Sequence, residues 1–155
     1  MNELASISAS AAIVFYALGF AQLLFAQGRT TEVLPSNRQM RVALLGMAAV
    51  ACHAWSTFSA VVTDAGIDLA LVHVCNYIAV VMVAVVALAN SRLPVISVNL
   101  LLFPIAVINC LALLIIAPGN STQLTIDSSQ ATHILLSLTA YAGLMTAALH
   151  RPVSY

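Results

Sequence analysis

Four histidines, at positions 53, 73, 133 and 150, are the residues of this chain best suited to chemistry. Each lies in or at the end of a long apolar run. An ionisable side chain is costly there, so its presence points to function. No Asp, Glu, Lys or Arg falls inside those runs. His53 is followed by Ser56 and Thr57, His73 by Asn76 and Tyr77, and His133 by Ser137 and Tyr141. Spacings of three and four stack side chains on one helical face. A hydroxyl or amide so placed can orient an imidazole through its second nitrogen. His150 stands beside Arg151 at the end of its run and reads most simply as an interfacial residue.

Neutral imidazole is a good iron ligand, and axial histidine is the usual way to hold heme. Two histidines from different helices could clamp one macrocycle between them. A zinc site would need three or four ligands. His53, His73 and His133 could supply three, but no HxxxH pair supports it. The alternative is packing, since a transmembrane histidine also serves as a hydrogen-bonding group between helices. Trp55, Tyr77 and Tyr141 could line an apolar pocket, or act as packing and interface anchors.

The elements that must position these residues are membrane helices. The chain has 155 residues, of which 62% are hydrophobic and 6% charged. Its mean hydropathy is +1.03. A soluble domain carries about 25% charged residues, so lipid must be the main solvent here. Five apolar runs, at about 11–26, 42–62, 69–89, 95–117 and 132–149, approach or reach the length that crosses a hydrocarbon core of about 30 Å as a helix. They lack an alternating polar face and are too long for barrel strands. The expected fold is all-α, a single polytopic transmembrane bundle over residues 1–155.

The gaps between the runs set the direction. The chain has five arginines and no lysine. Arg29, Arg38 and Arg41 fall between the first two runs, Arg92 between the third and fourth, and Arg151 after the fifth. Asp64, Asp68 and Asp127 lie in the other two gaps, and Glu3 at the N-terminus. Short cytoplasmic loops are enriched in Lys and Arg. The N-terminus is therefore expected outside and the C-terminus in the cytoplasm, and His53, His73 and His133 share the outer half. The N-terminal segment has no basic residue, so no cleaved signal peptide is expected. Asp127-Ser128-Ser129 reads as a helix N-cap and Pro118-Gly119-Asn120 as a turn.

Several functions find no support in the residues. A formal net charge of zero gives nucleic acid no footing. There is no nucleophile beside a base, no paired carboxylate, no glycine-rich phosphate loop and no CxxC, so no enzyme is expected. Cys52, Cys75 and Cys110 read as apolar packing residues. Pro94 and Pro104 are the places where a helix could break as transporters require. A small transporter subunit and a cofactor-free scaffold remain the alternatives.

Three segments carry a resemblance. They are Cys52-His53-Ala54, the run NLLLFPIAVINCLALL from Asn99, and THILLSLTAYAGL from Thr132. Over about residues 42–149 the chain resembles the cytochrome c assembly membrane proteins, a heme-handling superfamily. Within it, the chain is most similar to the YpjD-like and HemX-like proteins of the bacterial inner membrane. The resemblance implies heme as cofactor, with His133 as a ligand on the outer face and His53 as an intramembrane ligand. It matches no motif to His73, which stays a candidate on its position alone. The tryptophan-rich motif of other branches is absent, since Trp55 is the only tryptophan. The family helix continues where this chain reads LHRPVSY. The resemblance therefore implies a truncated or split form, with a partner subunit of cytochrome c maturation supplying further helices and ligands.

Overall fold

The computed structural model describes residues 3–27, 36–63, 66–89, 98–116 and 128–149. Among them are five helices: α1 (Glu3–Gln27), α2 (Ser36–Val61), α3 (Leu71–Ala89), α4 (Asn99–Ile115) and α5 (Ser128–Leu149). Four of these, all but α4, are long and apolar enough to cross a membrane. The all-α expectation holds at that level. Helix α4 is shorter, with 17 residues. At about 1.5 Å per residue it spans roughly 25 Å. Val98 extends it by one 3-10 residue.

Three helices begin earlier than the apolar runs. Glu3–Ser10 belongs to α1, Ser36–Arg41 to α2 and Ser128–Ala131 to α5. In α1 these first turns carry the buried Ala5 and Ala9, and the apolar stretch long enough to cross a membrane runs Glu3–Phe25. The stretches 28–35, 90–97 and 117–127 hold Arg29, Pro94, Arg92, the 118–120 turn and Asp127, which lie outside the described residues, as do His150 and Arg151.

Helix α1 packs on α2 and α4, and α3 packs on α2, α4 and α5. The first four helices thus close a ring, and α5 lies outside it against α3. Ser8, near the start of α1, donates to the carbonyl of Cys52, toward the end of α2, at 2.6 Å. Those two helices run in opposite directions. Helices α2 and α3 are also antiparallel, joined by a two-stranded ribbon that pairs Val62 with Ile67 and Thr63 with Gly66. This small ribbon (β1, Val62–Thr63; β2, Gly66–Ile67) is a feature that the run lengths did not show. Gly66 turns the chain with φ of 126°, a conformation that a Cβ would disfavour.

The core sits where α1, α2 and α4 meet. Phe103 of α4 is buried and lies against Gly19 of α1 and Gly46 of α2. Tyr16 stacks on it with ring centroids 5.4 Å apart. Leu102, Ala106, Cys110, Val42 and Ala49 complete this apolar layer. Helix α4 runs unbroken through Pro104, which is its sixth residue. The break allowed for at this proline is therefore not present.

Candidate functional site: a histidine chain inside the bundle

His53 is fully buried on α2, with both ring nitrogens engaged. Its Nε2 lies 3.0 Å from Oδ1 of Asn76 on α3. Its Nδ1 lies 3.3 Å from the hydroxyl of Tyr16 on α1. The Asn76 amide fixes the direction of this chain. Nδ2 of Asn76 donates to the carbonyl of Val72 at 2.9 Å and to that of Asn109 on α4 at 3.0 Å. The side-chain oxygen must then be the atom facing His53 and can only accept. The imidazole therefore carries its proton on Nε2, and Nδ1 accepts from Tyr16. One continuous chain, from Tyr16 through His53 and Asn76 to the Asn109 backbone, ties all four ring helices together.

The same-face neighbours of the histidines do different work from that expected. Ser56 donates its hydroxyl to the His53 carbonyl at 2.9 Å, and Ser137 donates to the His133 carbonyl at 2.9 Å. Serine in a helix often bonds back to its own preceding turn, so neither orients a ring. The groups that orient His53 come from neighbouring helices. Tyr16 is the partner that inspection of the histidines missed. A tyrosine in the middle of an apolar run is its signal, because a buried phenol must find a hydrogen-bond partner.

His73 lies near the start of α3 and is also buried. Its Nδ1 is 3.4 Å from the carboxylate of Asp68, within range for charge attraction. The contact is not a hydrogen bond, and Nδ1 has no other partner among the described residues. Asp68 itself is buried and accepts the Ala70 amide at 2.9 Å, a side-chain turn that leads into α3. His133 differs from both. It is exposed near the start of α5, beside an open concavity lined by Ser129, Gln130, His133 and Ile134.

The three histidines are thus not one cluster. Among the described residues, no group of three His, Cys, Asp or Glu comes together to hold a metal ion. Nor do the aromatics converge. Trp55 and Tyr141 are exposed, while the Tyr77 hydroxyl pairs with Thr139 of α5 at 2.8 Å. The cysteines are free, with Cys110 in the core, Cys52 half-buried and Cys75 exposed.

Heme places a clear demand on these residues, namely an imidazole nitrogen with a free lone pair. His53 does not fit as it stands. Nε2 carries the proton and Nδ1 takes the Tyr16 hydroxyl, so ligation would cost the chain a bond. His73 is buried, with the Asp68 carboxylate facing Nδ1. His133 fits, since its ring is exposed and no described side chain engages it. No family model matches the chain, nor does any curated protein or any solved structure.

Proposed function

We propose that this chain is an integral protein of the bacterial inner membrane that handles heme in the manner of the cytochrome c assembly proteins, with His133 as its heme ligand. The observation that carries the proposal is the contrast between the accessible ring of His133 and the occupied ring of His53. The resemblance of the segment from Thr132 to Leu144 adds the family. His133 would hold heme through an imidazole nitrogen on its iron. Ser129, Gln130 and Ile134 would form the wall beside it. A partner protein of cytochrome c maturation would supply the further helices and ligands. On this account the chain carries or delivers heme and is not an enzyme.

The arginine distribution supports an orientation with the N-terminus outside and α4 as a fifth, short span. His133 then lies on the outer side, where apocytochromes are met. His53 and its partners act as the interhelical tie that keeps α1 to α4 in register. A cofactor-free scaffold is the second reading, favoured by the full hydrogen-bond complement of His53. Titrating hemin into the detergent-purified protein distinguishes the two. Stoichiometric uptake that is lost in His133→Ala supports heme handling, and equal weak uptake by both proteins supports the scaffold.

A further inference from the structure

Thr57 of α2 is 2% exposed and its hydroxyl has no hydrogen-bond partner. The cause is local. A threonine inside a helix ordinarily donates to the carbonyl one turn back, which here is that of His53. That carbonyl already receives the Ser56 hydroxyl at 2.9 Å, as well as the helical N–H of Thr57. Its lone pairs are taken, and the Thr57 hydroxyl makes no bond to the Ala54 carbonyl three residues back either.

The pairing of α2 with α3 shows what Thr57 faces. Thr63 pairs with Gly66, Val62 pairs with Ile67, and the Asp68 amide donates to the Val61 carbonyl at 2.8 Å. Further along, His53 meets Asn76. This is one antiparallel register over the whole hairpin. Thr57 lies one turn from His53 toward the ribbon, and His73 lies one turn from Asn76 in the same direction. By this register Thr57 stands opposite Val72, within one residue of His73 along the helix pair, and each lies one turn from a member of the His53–Asn76 contact. His73 is 6% exposed, and among the described residues its Nδ1 is the other buried side-chain polar atom without a hydrogen bond. The Asp68 carboxylate adjoins it at 3.4 Å.

Two orphaned polar atoms at nearly one level of one interface have a common remedy. We propose that α2 and α3 enclose a hydration site, in which one ordered water bridges the Thr57 hydroxyl to the His73–Asp68 pair. A buried water needs two to four polar partners, and Thr57 Oγ1, His73 Nδ1 and the Asp68 carboxylate supply them. Ser56, Thr57 and Ala60 keep the α2 side small at this level. The water extends the polar seam from the ribbon to the His53 chain, so that His53 is approached by polar groups from the end of the hairpin. The site stands independently of the heme proposal, because it uses none of the His133 surface.

The sign of one substitution tests it. Thr57→Val keeps the shape and removes the hydroxyl. With a bridging water, the loss strands that water and its other partners. The unfolding midpoint of the detergent-purified full chain should then fall by about 2–4 °C or more, and Thr57→Ser should stay close to wild type. A truly orphaned hydroxyl gives the opposite result, because replacing an unsatisfied buried polar group with a methyl is neutral or stabilising. A midpoint unchanged or raised in Thr57→Val overturns the proposal. A wild-type midpoint that rises with sodium or potassium, but not with choline, overturns the water in favour of a cation. If Thr57→Val does not fold, an experimental structure decides. Density for a water within hydrogen-bond reach of both Thr57 Oγ1 and His73 Nδ1 is expected, and its absence overturns the site.

Discussion

The hydroxyl of Tyr16 and the Nδ1 of His53 lie 3.3 Å apart, with the two rings edge-on at 84° and centroids 5.8 Å apart. This contact joins α1 to α2 and, with the Asn76 bond, sets the tautomer of the imidazole. It makes His53 a donor toward α3 and an acceptor toward α1. The chain is therefore directional, and its members are not interchangeable.

That directionality predicts coupling between His53 and Asn76. Asn76→Ala removes the acceptor for His53 Nε2 and the donor to the Val72 and Asn109 carbonyls. Hydrogen bonds between membrane helices contribute about 0.6 kcal/mol on average and ~1.7 at most. A double-mutant cycle with His53→Ala and Asn76→Ala should give a coupling energy in that range, measured by chemical unfolding in detergent. Additive effects would show that the two side chains do not bond.

The two glycines against Phe103 should respond differently to alanine. A Cβ at Gly19 would lie 2.7 Å from Phe103 Cε2 and 3.2 Å from Cδ2, so the ring must shift. A Cβ at Gly46 would lie 3.5 Å from Cζ, an ordinary contact. Gly19→Ala should cost about 1–3 kcal/mol through overpacking. Gly46→Ala should be neutral or stabilising by up to about 1 kcal/mol, because alanine favours the helix. Phe103→Leu should rescue Gly19→Ala. The check is the order of the unfolding midpoints of the four proteins.

Helix α5 joins the ring through α3, and the Tyr77–Thr139 bond is a polar tie within that contact. Tyr77 lies in the N-terminal half of α3 and Thr139 close to the middle of α5. Tyr77→Phe should loosen α5 by less than about 1 kcal/mol and leave the Tyr16–His53 chain intact. Hydrogen exchange resolved by segment should show faster exchange in α5 alone. Faster exchange spread over α1 to α4 would contradict this separation.

The proposed orientation makes a labelling prediction. In a cysteine-free background, a cysteine replacing Gln130 should react with a membrane-impermeant maleimide in intact cells. A cysteine replacing Arg38 should react only after the membrane is opened. The reverse pattern would invert the topology.

What the sequence shows and what it hides divides along physical lines. Apolar length located α1, α2, α3 and α5, because crossing lipid demands it. It misplaced some of their ends, since interspersed serines hid the helical turns Glu3–Ser10, whose Ala5 and Ala9 are buried. Hydropathy said nothing of Gly66 and the ribbon, which depend on local backbone freedom. Histidine type singled out His53, yet not its partners. Tyr16 and Asn76 are 37 and 23 residues away in sequence, and which helices face each other is decided by packing. Chemistry within one helix was the wrong place to look, as the back-bonded Ser56 and Ser137 show. Thr57 and His73 became a pair only when the hairpin register was known.

The most direct test of the account is the absorption spectrum of the detergent-purified protein with added hemin, for wild type, His133→Ala and His53→Ala. The account predicts a ligated-heme spectrum for wild type that is lost in His133→Ala. It should persist in His53→Ala, whose unfolding midpoint should nevertheless be lower. A spectrum that survives His133→Ala and vanishes in a folded His53→Ala would contradict it, and would make the buried chain the site of ligation.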